Sequence, residues 1–291
     1  MINSSSLPTP LENHYILLRH GRSKANVAGV VVSTLENGCP PASPAESSSG
    51  PHGENNGWGL TSVGEEQVKR AAQDVLEYLL TAHNLNPSRT ARVSEVRDMP
   101  GDPEGIVKSQ KPIRLAIYTS PFLRTLETAA IVHDHISNYL GGSEDDLGFP
   151  SAPRRIILYP SVITVQGLRE RNFGIYELKP DHESYNKVWK LDGEVDSKSN
   201  GHDNDEILDK YREIGVETCE QVQSRMCGVI KEIELDLGHR MRIEDVQEAE
   251  NVAILVSHGD SLQILQTAFE DVKPTAHRKL NHLGTAEWRI F

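Results

Sequence analysis

Short runs of consecutive apolar residues alternate along this chain with longer segments in which apolar residues recur at helical spacing. The run at residues 15–18 has no polar alternation, which predicts a strand buried on both faces of a sheet. A similar run follows far downstream at residues 252–256. Further strands are expected at residues 113–118, 155–159 and 286–291.

Helices are predicted between these strands. Either Thr61 or Ser62 can cap a helix, Ser62 with Glu65 has the spacing of a capping box, and an apolar stripe follows at helical period. After the strand at 113–118, Ser120 is expected as the N-cap and Pro121 as the first residue of a second long helix. Strand-then-helix units that recur in this way predict an α/β fold with a mostly parallel sheet flanked by helices.

Three polar stretches interrupt this pattern, at about residues 33–58, 83–111 and 181–210. The first two are rich in Pro, Gly or Ser and are expected on the surface. The third carries many acidic residues and is expected to form a peripheral helical cap. We interpret all three as insertions into a single domain over residues 1–291. The two buried apolar strands at opposite ends of the chain are expected to depend on each other within one structural unit.

Composition narrows the class of protein. With 37% hydrophobic and 25% charged residues, the 291-residue chain resembles an ordinary soluble protein with a sizeable core. Its net charge of −12 argues against a nucleic-acid or membrane partner. No signal peptide or bilayer-spanning run is evident, and the odd number of cysteines, three, has no metal-ligand spacing. A cytoplasmic protein with free thiols is therefore expected.

Two of the predicted strands lead into the same turn, in which a histidine is followed by a glycine. The first ends in Arg19 and His20, and the second leads to His258. Because ligands of parallel sheets bind beyond the carboxyl ends of the strands, both histidines are expected at one site. Arg124 should join them at the positive, amide-rich start of a helix. This constellation predicts a site for a compact anion.

A phosphoryl group suits these side chains, because its oxygens accept forked guanidinium bonds and its transfer depends mainly on positioning and charge stabilisation. One imidazole can attack phosphorus while the second holds the transferring oxygens. Glu170, in a loop bounded by glycines, is the candidate proton donor if its pKa is raised. The scheme requires no metal and no cofactor. A metal site at the His-Asp-His sequence of residues 133–135 is disfavoured, because adjacent helical residues diverge.

The motifs around these residues resemble the histidine phosphatase superfamily, also called the phosphoglycerate mutase-like family. Six motifs occur in the family's order: Leu18-Arg19-His20-Gly21-Arg22-Ser23 with Asn26, Gly59-Leu60-Thr61 with Gly64, Thr119-Ser120-Pro121 with Arg124 and Thr128-Ala129, Leu168-Arg169-Glu170-Arg171 with Phe173-Gly174, Gly215 with Glu217-Thr218, and Ser257-His258-Gly259. Arg-His-Gly alone would be a weak signal, whereas the ordered set is a strong one.

The resemblance implies a three-layer α/β fold and a covalent mechanism. It implies that His20 is phosphorylated and that Glu170 donates the proton. Arg19, Arg124 and His258 correspond to the phosphate pocket. Residues implied on the substrate-binding side are Arg22, Ser23, Asn26, Arg171 and Gly259.

Both mutases and phosphatases belong to this family. Cofactor-dependent mutases usually carry Gln or Glu, Tyr and Asn where this chain has Arg22, Phe173 and Asp260, and a carboxyl-terminal tail over the site, whereas this chain ends after its last predicted strand. The resemblance therefore favours a phosphomonoester hydrolase acting on a small phosphorylated metabolite over a phosphoglycerate mutase. A non-catalytic phospho-ligand binding protein is disfavoured, because the nucleophile, the acid and the phosphate pocket are all present.

Two residues bear on the substrate. Arg22 is expected either to contact a second phosphate or a carboxylate, or to be exposed without a role. Asp260 is expected to cap the following helix through backbone amides, because a carboxylate facing the phosphate would repel it. The sequence sets neither the physiological substrate nor the oligomeric state, and a phosphoprotein substrate stays open.

Overall fold

The computed structural model describes residues 6–40, 58–81, 111–141, 156–197, 201–240 and 249–291. The strands in these ranges are β1 His14–Arg19, β2 Ile113–Thr119, β3 Ile156–Leu158, β4 Ile163–Thr164, β5 Glu250–Ser257 and β6 Trp288–Ile290. The helices are α1 Lys24–Ala28, α2 Leu35–Gly38, α3 Ser62–Thr81, α4 Leu123–Gly141, α5 Asp181–Ser197, α6 Gly201–Ile214, α7 Cys219–Arg240 and α8 Gly259–Phe269. Single 3-10 segments span Gln166–Leu168, Gly174–Tyr176 and Pro274–Lys279.

The strands form one sheet in the order β3-β2-β5-β1-β6, with β4 also paired to β2. All pairs are parallel except that of β1 with β6. In register, Arg19 lies opposite Ser257, and Thr119 lies opposite Val256. The carboxyl ends of β1, β2 and β5 therefore meet at one edge of the sheet, as the two apolar runs predict.

The sheet is covered on both faces. Alternate residues of β1 point to opposite sides, so Ile16 and Leu18 pack towards α3 and α4, while Tyr15 and Leu17 pack towards α7 and α8. All four of these side chains are fully buried, and burial of each contributes about 1.5–3 kcal/mol. The α/β fold with a mostly parallel central sheet is confirmed, in the three layers that the family resemblance implies.

Two helices start differently from the prediction. In α3, the hydroxyl of Thr61 accepts a hydrogen bond from the amide of Gly64 at 3.1 Å, so Thr61, one of the two predicted caps, caps the helix, and the capping box of Ser62 with Glu65 is not formed. Helix α4 begins at Leu123 rather than at Pro121. The hydroxyl of Ser120 lies 2.8 Å from a histidine at the site instead of capping a helix.

The acidic segment at residues 181–210 folds largely into α5 and α6. These helices share a small apolar core with loop residues from elsewhere in the chain. Its buried members are Val31, Phe173, Val188, Ile207, Tyr211 and Val216. The cap is thus attached through packing to the loops that follow α1 and precede α5.

The other two predicted insertions fall mostly outside the described residues, at 41–57 and 83–110. The described part of the first, residues 33–40, is not a simple surface segment. Both hydroxyl oxygens of Ser33 and Thr34 donate to the carboxylate of Glu177, at 2.6 and 3.0 Å. Gly38 packs so closely on Phe122 that an added Cβ would lie 2.5 Å from a ring carbon.

Within the described ranges, no helix is sufficiently long and apolar to cross a membrane.

Candidate active site

His20 lies in the turn between β1 and α1 and has only 3% of its surface exposed. Its Nδ1 is 2.7 Å from the carbonyl oxygen of Gly21, and because a carbonyl only accepts, we assign the ring proton to Nδ1. Nε2 accepts a hydrogen bond from Nε of Arg124 at 3.2 Å. Burial, reinforced by the charges of Arg124 and Arg19, holds the pKa of His20 well below its usual range. The imidazole is therefore neutral, with its lone pair on Nε2.

His258 follows β5, and its ring centroid lies 5.3 Å from that of His20. Its Nδ1 accepts a hydrogen bond from Nη2 of Arg124 at 3.0 Å, because a guanidinium group only donates. The ring proton then belongs on Nε2, which is 2.8 Å from the hydroxyl oxygen of Ser120. Burial, followed by the charge of Arg124, holds the pKa of His258 well below its usual range. Two neutral imidazoles thus flank one guanidinium group.

Two buried arginine N–H groups at the site lack an acceptor in the described part of the chain. Nη1 of Arg124 and Nε of Arg19 have no hydrogen-bond partner among the described residues. The other contacts of Arg19 are with Nε2 of His282 at 2.8 Å and the carbonyl of Leu283 at 2.9 Å. Burial lowers the pKa of Arg124 to about 10, which leaves it cationic at neutral pH. A buried donor without an acceptor costs about 1–3 kcal/mol, and a phosphoryl oxygen is an acceptor that suits both groups.

Glu170 is also buried, with 7% of its surface exposed. Its Oε1 accepts hydrogen bonds from the amide of Arg171 at 2.9 Å and from the amide and hydroxyl of Ser261 at 3.2 and 3.0 Å. Burial and the nearby charge of Asp260 raise its pKa, and the charge of Arg124 opposes this shift. Because Oε1 takes these hydrogen bonds, Oε2 is the oxygen best suited to carry a proton.

A buried ion pair fixes the loop that carries this acid. Nη1 of Arg225, on α7, donates to the carbonyls of Gly167 and Arg169 at 2.7 and 3.0 Å. Its Nη2 donates to the carbonyl of Glu170 at 3.2 Å. The carboxylate of Glu217 bridges Arg225 and Arg169, at 3.1 and 2.5 Å. Arg225 on α7 thus holds the loop that carries Glu170 in place, although charged residues on a loop are usually solvated.

Arg171 is not among the residues that face the site, contrary to its prediction as a substrate-binding residue. Its side chain is fully buried. Both terminal nitrogens donate to Asp192 at 2.8 Å, and Nη1 also donates to Asp260 at 3.1 Å. The predicted capping role of Asp260 is likewise wrong, because His258 is the N-cap of α8 and Asp260 accepts from Arg171 and from Trp189, the latter at 3.0 Å.

The other residues predicted on the substrate side lie in the turn around β1 and at the start of α8. Ser23 and Asn26 bond to each other in the capping box of α1. Arg22 is exposed, and its contact with a substrate stays a prediction. Gly259 contributes space, since a Cβ there would lie 3.1 Å from the guanidinium carbon of Arg19.

One buried group in the described part of the chain has the composition of a metal site. Ligand atoms of Asp192, Cys219 and His277 lie within 4.8 Å of one another. Both oxygens of Asp192 already accept from Arg171, a permanent cation that would repel a metal ion. The group therefore resembles an internal ion network rather than a metal centre. The side chains at residues 133–135 have separate partners, with Nε2 of the two histidines directed at Tyr159 and Gln73.

Several residues at the site carry no motif that identifies them. His282 approaches Arg19 from the segment between the last 3-10 turn and β6. Phe122 packs its ring edge-on against His258, with centroids 4.9 Å apart. Of these residues, only Phe122 could have been expected at the site from the sequence, because it directly follows Ser120-Pro121.

Comparison with known protein families supports the family resemblance that the sequence motifs indicate. Residues 155–291, which carry Glu170 and His258, match the model of the histidine phosphatase superfamily (branch 1). The motifs around His20 and Arg124 lie outside that match. No curated protein matches the chain.

Solved structures share the fold over most of the chain. Mycobacterial hydrolase 1 superposes with a TM-score of 0.53 at 15% identity, over 96% of this chain and 88% of that protein. A mycobacterial glucosyl-3-phosphoglycerate phosphatase superposes with a TM-score of 0.51 at 15% identity, over 96% and 89%. Its complex with VO3 gives 0.50 at 16% identity, over 96% and 90%. The match with branch 1 confirms the resemblance to the histidine phosphatase superfamily that the sequence motifs predict.

Proposed function

We propose that the protein is a phosphomonoester hydrolase that works through a phosphohistidine at His20. One observation carries the proposal. A neutral imidazole presents the lone pair of Nε2 beside buried guanidinium N–H groups of Arg124 and Arg19 that have no acceptor among the described residues. A nucleophile and unmatched positive donors in one buried place suit an incoming phosphoryl group.

The first chemical step breaks the ester bond. Nε2 of His20 attacks phosphorus, the bond from phosphorus to the ester oxygen breaks, and the phosphoryl group remains on His20. Arg19 and Arg124 bind the equatorial oxygens, and His258 can donate from a ring nitrogen to the same group once phosphate replaces its present partners. Protonated Glu170 gives its proton to the departing alkoxide, for which its raised pKa is suitable.

The second step restores the enzyme. The Glu170 carboxylate takes a proton from a water molecule, whose oxygen attacks phosphorus as the bond to Nε2 breaks. Inorganic phosphate leaves, Glu170 is again protonated, and His20 is neutral. Throughout, Nδ1 of His20 donates to the carbonyl of Gly21, which keeps the nucleophilic tautomer in place. This balanced scheme uses only protein groups and water.

The substrate we propose is a small phosphorylated metabolite. Arg22 is an exposed cation that follows the His20-Gly21 turn, and it can bind a second acidic group of such a molecule. A screen of phosphorylated metabolites for phosphate release, comparing wild type with Arg22→Ala, would identify the class. Metabolites with a second phosphate or a carboxylate should lose the most kcat/KM in the variant.

The test of the mechanism is His20→Ala, with His135→Ala as a matched control at a half-buried position on α4 whose imidazole contacts Gln73. Turnover of an aryl phosphate should vanish only in His20→Ala, and acid quenching should trap an acid-labile phosphoenzyme only when His20 is present. Undiminished turnover of the aryl phosphate in His20→Ala would contradict the proposal.

A second assay separates hydrolysis from transfer. The enzyme is supplied with 3-phosphoglycerate and a bisphosphate primer, and both 2-phosphoglycerate and free phosphate are followed. Faster formation of 2-phosphoglycerate than of phosphate would identify a mutase instead.

A further inference from the structure

A network of buried charged groups joins the cap helix α5 to the loop that carries Glu170. The fully buried Arg171 lies at its centre. Its two terminal nitrogens donate to the two carboxylate oxygens of Asp192 on α5, each at 2.8 Å, and Nη1 also donates to Asp260 at 3.1 Å. Nε donates to the carbonyl of Glu217 at 2.8 Å. All three guanidinium nitrogens are therefore committed, and the side chain cannot shift without leaving a buried charge unpaired.

The same network holds the carboxyl group of Glu170. Its Oε1 accepts from the backbone amide of Arg171 at 2.9 Å, so the residue whose side chain is fixed also contacts the acid directly. The other donors to Oε1 are the amide and the hydroxyl of Ser261, at 3.2 and 3.0 Å. Ser261 is bonded covalently to Asp260, whose carboxylate accepts from Arg171 and, at 3.0 Å, from Trp189 on α5. The donors to Glu170 are thus held in place by side chains that contact the cap helix.

Asp192 is the residue that attaches this network to the cap. It is 1% exposed, and its Oδ1 also accepts a hydrogen bond from the hydroxyl of Tyr211 on α6 at 2.5 Å. One carboxylate therefore ties both cap helices to Arg171. A buried carboxylate is costly unless it is paired and hydrogen-bonded. Here the pairing leads from Asp192 to the guanidinium group of Arg171, and from the amide of Arg171 to Glu170.

We propose that Asp192 is a positioning residue for Glu170: it fixes the side chain of Arg171, and thereby holds the Arg171 amide and the Glu170 carboxyl group where the proton passes to the leaving group. The inference rests on the proposed function, in which Glu170 is the acid. A general acid must lie within hydrogen-bond reach of the departing oxygen, and a misplacement of about 1 Å can cost about 100-fold in rate. The cap helix α5 thereby contributes to proton transfer through the loop that carries the acid.

The test compares Asp192→Asn with a matched control in the same helix, Glu194→Gln, whose partly exposed carboxylate lies 3.8 Å from Nζ of Lys210. Asparagine keeps the shape of Asp192 but turns one acceptor for Arg171 into a donor. Hydrolysis of an alkyl phosphate, which needs the proton, should slow by about 10- to 100-fold in Asp192→Asn. Formation of the phosphoenzyme from a nitrophenyl phosphate should change little, because that leaving group needs no acid. Glu194→Gln should match wild type with both substrates.

A double variant separates positioning from a general structural role. If Asp192 acts through Glu170, Asp192→Asn should slow alkyl phosphate hydrolysis no further in a Glu170→Gln background. Tyr211→Phe removes one hydrogen bond to Asp192 and keeps the aromatic ring. It should produce a smaller loss, confined to the alkyl phosphate, and it gives the answer if Asp192→Asn does not fold.

Equal losses with the two substrates, or losses that add in the double variant, would overturn the positioning role. An unchanged alkyl phosphate rate in folded Asp192→Asn, or in Tyr211→Phe where the first variant does not fold, would also overturn it. Glu170→Gln alone then decides the proposed function. If it separates the two substrates, Glu170 remains the acid and only the role of Asp192 fails; if it does not, the proposed acid fails as well.

Discussion

Nε of Arg124 donates a hydrogen bond to Nε2 of His20 across 3.2 Å. The guanidinium group thus occupies the lone pair that we propose as the nucleophile. In the mechanism that we propose, an incoming phosphoryl group takes over the N–H of Arg124 and frees Nε2 in the same event. The exchange of one acceptor for another keeps the buried donor satisfied and exposes the nucleophile only when its target is present.

Arg124→Lys should lower kcat/KM for an aryl phosphate by about 100- to 1,000-fold. A lysine ammonium is a single point charge and does not contact both histidines and the phosphoryl group as the planar fork does. Arg212→Lys, an exposed position on α6 paired with Asp209, serves as the control and should be unchanged. A loss smaller than threefold at Arg124 would contradict the proposed phosphate pocket.

Glu170→Gln should affect substrates according to their leaving group. An alkyl phosphate needs the proton and should lose about 100-fold in rate, whereas formation of the phosphoenzyme from a nitrophenyl phosphate should change little. In wild type, hydrolysis of the alkyl phosphate should decline as the pH rises through the raised pKa of Glu170. If the rate of Glu170→Gln fell in the same way as the pH rises, another group would be the acid.

Stability should fall as the pH drops below about 6.5, the usual pKa of histidine. The folded-state pKa values of His20 and His258 are lowered, so the unfolded chain binds more protons than the folded chain below this pH. Their contribution is complete above pH 6.5, and each costs about 1.4 kcal/mol for every pH unit below it. Glu170 titrates in the opposite sense, because its pKa is raised.

Denaturant unfolding between pH 7.5 and 5.5 measures this dependence, in a Glu170→Gln background that removes the opposing titration. His20→Asn should reduce the slope by about a third, because the pKa values of three histidines, His20, His258 and His282, are lowered and one of them is removed. An unchanged slope would mean that His20 is not held neutral in the folded protein.

Two glycine substitutions should have opposite effects on stability. Gly38→Ala should destabilise the protein by about 1–3 kcal/mol, because its Cβ would lie 2.5 Å from the ring of Phe122. Gly228→Ala, in α7 with no atom within 4 Å of the added Cβ, should stabilise it by about 1 kcal/mol. Gly38→Ala should also reduce kcat, because Phe122 packs on His258. Equal free energies of unfolding for the two variants would contradict this packing.

The sequence predicts those parts of the site that depend on local pattern. Apolar runs followed by His-Gly identify β1 and β5, and a parallel sheet brings such strand ends together, so the proximity of His20 and His258 follows. The position of Arg124 is also correct within one helical turn, although α4 begins two residues later than expected.

The remaining features depend on pairing across long separations in the chain. Asp260 has the sequence context of a helix cap, and only the placement of Arg171 beside it turns it into part of an ion network. Asp192 lies in a segment that reads as solvated, yet it is 1% exposed because Arg171 and Tyr211 satisfy its oxygens. Tyr185 is similar, since no local period distinguishes a ring that packs against Phe173 and Trp189 from one that faces water.

The position of β1 between β5 and β6 has a consequence for the order in which the protein is made. The segment that carries His20 is translated before both of its neighbouring strands, β5 and β6. Until these are made, His20 lacks His258 and the strand that holds its backbone in place. The site that we propose for phosphate release is consequently incomplete until translation has passed β5.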